Sequence, residues 1–368
     1  MRHRILAGLA ILALALPLSA PSGAETVTVT DTLGREVEIP KDPQRILLGF
    51  YYEDFFAVAG PQAYDRVVAI TKETWEGWRN LQWKAYLAAV PRLADLQDVG
   101  EVEAGTFSLE AALATRPDLA ILAAWQVQAL GETVARMEAA GIPVVTLDYN
   151  TQTVEKHVAS TRLLGRIMGR EDRAERLAAE YETAVAEVEA RIAALPETDR
   201  PRVYVELGRK GAGEIDNSYG DIMWGAIIAM AGGENIAASQ FAKWGPLNPE
   251  YVLAQNPAVI FLAGSGWAGR DKAVLMGPGV PAETTWARMR PYLGRPGWDG
   301  LDAVKTGELH AIYHGGARTL YDYAFLQYVA KALHPEAFAD IDPQANLDRF
   351  FATYMPIRFE GTYMTKLP

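Results

Sequence analysis

One short unit is stated twice in this chain, and that repetition constrains the fold more than any other feature. Residues 110–123 read EAALATRPDLAILA, and residues 250–263 read EYVLAQNPAVIFLA. Both fit E-x-x-L-A-x-x-P-x, then alternating apolar residues, then L-A. Each copy starts as a helix and ends as a strand. Ser108 can cap a helix over 109–115, with Glu110 in a first turn where an acid suits the helix dipole. Pro117 stops that helix, and LAILAA (119–124) follows as a strand. A chain with this unit in each half is expected to build two similar α/β halves.

The flanking pattern agrees. VTVTDTLGREVEIP (27–40) alternates around a turn at Leu33-Gly34 and reads as two strands. RILLGF (45–50) is a short buried parallel strand, followed by a helix over 52–58 and a strand RVVAI (66–70). An aromatic-rich run, TKETWEGWRNLQWKAYLAAVP, fills 71–91. A helix over 131–141 and a strand over 143–149 complete the first half. A long helical region over 153–195, broken near Gly169, carries Leu177, Tyr181, Val185, Val188 and Ile192 at helical spacing. Its second piece would extend about 35 Å. Strand, helix, repeat unit and strand then recur: RVYVELG (202–208), DIMWGAIIAMAGG (221–233) with a glycine cap, the second copy, LHAIYH (309–314), and a helix over 321–333. The division read is an N-terminal α/β lobe over 25–151, a linking helical region over 152–196, and a C-terminal α/β lobe over 197–368, both sheets mainly parallel.

Residues 1–24 are set apart. Arg2 and Arg4 precede an apolar run at 5–16, too short for a membrane span, and Ser22-Gly23-Ala24 offers small residues at a cleavage site. A secretory signal peptide cut near Ala24 is expected. The formal net charge of −11 argues against nucleic-acid binding. With no cysteine, disulfides, thiolate metal sites, cysteine nucleophiles and a lipid-bearing cysteine are all excluded. The expectation is an exported chain, free in the periplasm without an anchor or direct membrane insertion, and monomeric.

In order, D-T-L-G-R-E-V-E-I-P, P-Q-R-I-L-L, the S-L-E…R-P-D-L-A-I unit, a long linking helix, A-G-G-E-N-I-A (231–237) and N-P-E…N-P-A-V-I-F resemble the substrate-binding proteins of ABC importers for iron–siderophore complexes, haem, cobalamin and related ligands. The resemblance runs over essentially the whole chain beyond residue 24. It implies two Rossmann-like lobes joined by one rigid helix, with the ligand between them. It also implies a role for the two glutamates: in such proteins the acid heading this helix, one per lobe, docks onto arginines of the membrane permease. Glu110 and Glu250 match those positions. On pattern alone they read equally as first-turn acids on solvated helices.

Ligands of open α/β sheets bind beyond the carboxyl ends of strands. Those ends offer Tyr51, Tyr52, Lys72, Trp75 and Trp125 in the first lobe. In the second they offer Arg209, Tyr219, Trp244, Trp267, His314, Arg318 and Tyr321. Trp125 and Trp244 match positions where relatives set an aromatic against the ligand. Arg209 and Arg318 suit an anion. Tyr51 and Tyr52 read equally as cleft-edge packing, and Trp75, Trp78 and Trp83 read more readily as partly core than as cleft wall. Direct metal binding is not expected; Tyr51, Tyr52, Glu53 and His314 are the residues that could offer a bare ferric ion hard ligands. His310 and His314 have i,i+4 spacing on a strand and loop, not on the helix a zinc site would need. No cofactor is expected, and the ligand favoured by the aromatics is an iron(III) chelate of siderophore type, ahead of molybdate or tungstate, with haem or cobalamin behind. An enzyme is the reading from another class: GSGWAG (264–269) does not fit a nucleophile elbow, and GRKGAG (208–213) fits neither the dinucleotide nor the Walker pattern.

Overall fold

Each half of the chain builds a five-stranded sheet. The computed structural model describes residues 25–196 and 198–368, so the expected signal peptide lies outside the described residues. The first sheet has the spatial order Gln97–Asp98, Val67–Ile70, Ile46–Leu48, Leu119–Ala123, Val144–Leu147, all parallel. The second runs Glu234–Asn235, Arg202–Leu207, Val259–Gly264, Leu309–Tyr313, also parallel, and is closed by Met364–Lys366 antiparallel. Every residue of Ile46–Leu48, Leu119–Ala123 and Val259–Gly264 is buried. Helices cover both faces of these strands, which is why they read as unbroken apolar runs. The alternating N-terminal segment forms the antiparallel hairpin Thr26–Thr30 and Glu36–Pro40.

The repeated unit takes the same place in both lobes. Ser108 Oγ accepts the Ala111 N–H at 3.1 Å and starts the helix Leu109–Ala114. Asn248 Oδ1 accepts the Glu250 N–H at 2.8 Å and starts Pro249–Gln255, with proline at its first position. Each helix leads into the strand that pairs with the first strand of its own sheet. The Ser108 N–H donates to Val99 O, just past the carboxyl end of Gln97–Asp98, whereas the Asp118 N–H donates to Arg45 O at the amino edge. The helix headed by Glu110 therefore runs back from the carboxyl edge of the sheet to its amino edge. In the second copy the Ala258 N–H likewise returns to Arg202 O at the amino edge. Glu110 and Glu250 are both exposed, and neither has an ion-pair partner among the described residues.

Between the sheets the chain forms the helices Val154–Met168 and Glu171–Ala193, turning at Gly169 (φ 62°). A Cβ on Gly165 would lie 2.3 Å from Ala174 Cβ, so the two helices meet where only glycine fits. The long helix buries Leu177, Tyr181, Val185 and Val188, the stripe its spacing predicts, and leaves Ile192 half-buried. It touches both lobes. Arg173 donates through Nε to Ala57 O (2.6 Å) and through Nη2 to Tyr354 O (3.0 Å), while Glu180 accepts the Tyr323 and Tyr354 hydroxyls at 2.9 and 3.0 Å. The molecule is thus two Rossmann-like lobes linked by one long helix. The helix expected over 221–233 is shorter, Trp224–Met230, because Met223 takes a left-handed φ of 50°. The helix Ala124–Leu130 begins directly at a strand end, where the sequence carries no stop signal.

Candidate ligand-binding cleft

In each sheet the chain leaves its first strand toward one side and returns on the other, which opens a crevice at the carboxyl ends of the two central strands. The crevices face each other across a cleft of about 420 Å³, within the range of small-molecule sites. Trp78, Arg79, Trp125, Gln128 and Asn150 line it from the first lobe. Arg209, Tyr219, Met223, Lys243, Trp244, Trp267, His314 and Arg318 line it from the second. Each copy of the repeated unit thus ends by delivering a tryptophan, Trp125 or Trp267, to the cleft.

The lobes touch on both sides of it. Near the linking helices the Leu320 N–H donates to Asp54 Oδ1 (2.7 Å), the Tyr321 hydroxyl to Glu53 Oε2 (2.6 Å), and Gln152 Nε2 to Ala317 O. Elsewhere residues 77–81 of the first lobe are stitched to residues 265–268 of the second. Ser265 Oγ donates to Trp78 O (3.0 Å), Ala268 N to Gly77 O (3.1 Å) and Leu81 N to Gly266 O (3.3 Å). A Cβ on Gly266 would fall 2.7 Å from the Leu81 side chain, so this close approach requires glycine.

Phe50 lies buried beneath the floor, behind the lining residues Trp125, Arg79 and Arg318. The preceding Gly49 carbonyl accepts the Tyr52 hydroxyl and Gln126 Nε2, each at 3.1 Å, and Tyr51 is held at φ 55°, ψ 43°. Left-handed backbone of this kind in a bulky residue is strained and persists where its surroundings over-determine it. Trp125 packs edge-on against Phe50 at 5.4 Å. Two guanidinium groups share that ring: Arg79 at 5.5 Å and Arg318 at 5.2 Å from its centroid, only 5% and 8% exposed. Neither has an acid within ion-pair distance among the described residues. Arg79 Nη2, Arg318 Nε and Trp125 Nε1 are buried donors with no partner there. Burial, then the neighbouring Arg79, brings Arg318 down to about 10.

The other polar groups are more settled. Arg209 is paired bidentately with Asp216 (2.9 and 3.1 Å). The Asp216 N–H donates to Glu206, which is itself clamped by Arg295 at 2.5 and 2.8 Å. His314 accepts the Trp224 indole N–H on Nδ1 at 3.2 Å, which leaves its proton on Nε2. Desolvation, then Arg318, Arg79 and Arg209, hold it well below the usual histidine range, so it faces the cleft as a neutral ring.

Of the residues expected from the sequence, Trp125, Arg209, Tyr219, Trp244, Trp267, His314 and Arg318 come together here. Five others do not line the cleft. Tyr51 stands one layer behind, its hydroxyl on Asn150 Oδ1 at 2.8 Å. Tyr52 is core: its hydroxyl meets Thr71 O and Thr74 Oγ1, and its ring stacks on the fully buried Trp75 at 4.5 Å. Tyr321 is buried with its hydroxyl on Glu53. Lys72 lies 5.6 Å from the Trp83 ring, outside the cleft. The helix Tyr52–Ala59 turns inward as soon as its strand ends, and a π-helical turn over Glu73–Gly77 sends Trp75 in and Trp78 and Arg79 out. The hard-ligand set Tyr51, Tyr52, Glu53 and His314 does not converge, since Tyr52 and Glu53 belong to separate buried networks. Among the described residues no group of three or more His, Asp or Glu is placed to hold a metal ion. Arg79, Met223 and Asn150 were not anticipated; for Arg79 the one available signal was its place directly after Trp78.

Two α/β lobes, a rigid helical link and an aromatic cleft between the lobes define a substrate-binding protein rather than an enzyme. The chain belongs to the periplasmic binding protein family, whose model matches residues 57–313. It is similar to the TroA-like periplasmic binding protein FepB of Veillonella parvula: 29% identical, covering 93% of this chain and 100% of that one, with a TM-score of 0.86. The molybdate-binding protein MolA of Haemophilus influenzae is 22% identical over 91% of each chain. The structure of MolA with molybdate, the cognate binding protein of an ABC transporter, has a TM-score of 0.70 and covers 91% of this chain and 99% of its own. A periplasmic haem-binding protein of Pseudomonas aeruginosa shares the fold, with 21% identity, 80% and 93% coverage and a TM-score of 0.57. No helix among the described residues is long and apolar enough to cross a membrane.

Proposed function

We propose that this protein works in the periplasm, captures an iron(III) chelate of siderophore type between its lobes, and delivers it to a permease–ATPase complex through Glu110 and Glu250. The observation that carries this reading is the breadth of the cleft and its walls. About 420 Å³ bounded by Trp78, Trp125, Trp244 and Trp267 suits a bulky, partly aromatic complex better than a single small ion. The likeness to the TroA-like periplasmic binding protein FepB supports the capture role. The second reading is a molybdate-type oxyanion, favoured by the full-length likeness to MolA and by the buried N–H donors at the cleft floor.

A thermal-shift panel decides between them. A ligand that binds only the folded state raises the melting point by an amount set by its concentration over its dissociation constant. Ferric catecholate, hydroxamate and carboxylate chelates, haem, cobalamin, molybdate and tungstate would be compared, with a visible spectrum of the purified protein. A shift with a ferric chelate is expected. A shift with molybdate or tungstate alone would overturn the iron reading.

A further inference from the structure

The contacts between the lobes are of two unequal kinds. Those near the linking helices are made by buried groups: Glu53, Asp54, Leu320 and Tyr321 are each no more than 2% exposed. Those at the seam are made by a loop. The chain leaves the strand Val259–Gly264 at Ser265, reaches across to the first lobe and comes back at Val274. Its base is pinned to its own lobe: the Ser265 N–H donates to Val274 O (3.1 Å), the Met276 N–H to Ser265 O (3.2 Å) and the Val274 N–H to Gly208 O (2.8 Å). Its outer stretch, residues 268–272, is exposed. Among the described residues three hydrogen bonds join it to the first lobe, two of them between backbone groups. The first lobe offers these groups because its helix is broken there. Arg79 (φ −132°, ψ 45°) separates the π-helical turn Glu73–Gly77 from the helix Asn80–Ala89. Leu81 is the second residue of that helix, so its N–H has no intrahelical acceptor; it donates to Gly266 O, while Gly77 O accepts the Ala268 N–H and Trp78 O the Ser265 hydroxyl.

Local opening begins where few apolar groups are buried and the hydrogen bonds lie near solvent. Here that place is the seam, not the buried contacts of Glu53 and Asp54. The loop also carries cleft wall: Ser265, Trp267, Ala268 and Arg270 line the cavity, and Gly77, Trp78 and Arg79 line it from the other side of the seam. Lifting the loop therefore opens the cavity directly. We infer that residues 265–274 are a gate: they shut the cleft on this side by gripping the first lobe, and the ligand enters and leaves as the loop detaches from Gly77, Trp78 and Leu81 while the buried contacts beside the linking helices stay made. This rests on the cleft being the ligand site, and it adds the route by which that site is filled and emptied. Gly266 is what lets the gate shut, since a side chain there would meet Leu81 and hold the loop off. The groups uncovered on opening are backbone N–H and C=O groups that water can take over, so the gate opens without stranding a buried charge.

Amide hydrogen exchange on the wild-type protein tests the gate with no ligand added. The Ala268 and Leu81 N–H groups report the seam, and the Leu320 N–H, bonded to buried Asp54, reports a contact that stays made. Protection at Ala268 and Leu81 about tenfold or more below that at Leu320 is expected; equal protection at all three would overturn the gate. A second arm locks the loop. The chain has no cysteine, so Leu81→Cys with Gly266→Cys offers a single disulfide. A Cβ on Gly266 stands 2.7 Å from that of Leu81, and a lift of the loop by about 1 Å brings the pair into disulfide range. Stopped-flow fluorescence would follow a ferric tris-catecholate and molybdate binding to the oxidised and reduced forms of this variant. For whichever probe binds, association and dissociation about tenfold or more slower in the oxidised form, and restored by reductant, are expected. Equal rates in the two forms would overturn the gate. If the double variant does not fold or does not oxidise, exchange on the wild-type protein decides. Failure of both probes to bind the wild-type protein would overturn the cargo readings, not the gate, which then stands or falls on the exchange result.

Discussion

Tryptophans of this chain divide into two kinds that composition cannot separate. Trp75 is fully buried, stacked on Tyr52 and edge-on to Trp83, whereas Trp244 is 40% exposed at the cleft rim. Trp75→Ala should therefore cost about 3–5 kcal/mol of stability. Trp244→Ala should leave the melting temperature nearly unchanged and weaken ligand binding. Denaturant unfolding beside ligand titration checks both, and the reverse pattern would contradict the assignment. Residues of the second lobe such as Arg318 and His314 were legible because a cation or imidazole just past a buried strand has few structural reasons to be there. Tyr52, Trp75 and Tyr321 were not, because the sequence does not say which residue after a strand turns inward. That choice is made here by a helix that starts at once and by one π-helical turn. The same turn hid Arg79.

At the level of elements, the duplicated helix–strand unit was the most readable part of the molecule. Its caps, its proline stops and its continuous apolar strands all have local causes, so the structure repeats them faithfully. Both copies set an acid with no ion-pair partner among the described residues at the carboxyl edge of a lobe, the edge where the cleft lies. Replacing both, Glu110→Ala with Glu250→Ala, should leave ligand affinity intact and abolish uptake in cells, since charge-complementary contacts of this kind orient partners more than they hold ligands. Full uptake by the double variant would reduce the pair to dipole-favoured surface acids. Less was legible between the elements: the seam joining 77–81 to 265–268 is made mostly by backbone groups, with the Ser265 hydroxyl and a close approach at Gly266, and pairing of that sort has no residue signature.

For the whole molecule, acid is the condition under which the fold should weaken first. Burial holds His310, His314 and His334 below the ordinary histidine range. Above about pH 6.5 these rings are neutral whether the chain is folded or not, so they contribute no pH dependence. Below it the unfolded chain takes up protons that the folded chain refuses, and stability falls with pH. The loss is up to about 1.4 kcal/mol per pH unit for His310 and for His314, and smaller for the half-buried His334. Burial holds the acids Glu53 and Asp54 above the usual carboxylate range, and they act in the opposite sense, so the histidine contribution is read as a difference: between pH 6.5 and 5.5 the melting temperature should fall more in the wild type than in His310→Gln, with little difference between the two from pH 7.5 to 6.5. An equal fall in both would contradict the placement of His310.

The twin acids have one more consequence. Each is fixed to its own lobe, so any change in the angle between the lobes on loading would change the gap between Glu110 and Glu250. The pair would then work like the jaws of a caliper: a partner with two fixed basic contacts would gauge from outside whether the protein is loaded, without touching the cargo.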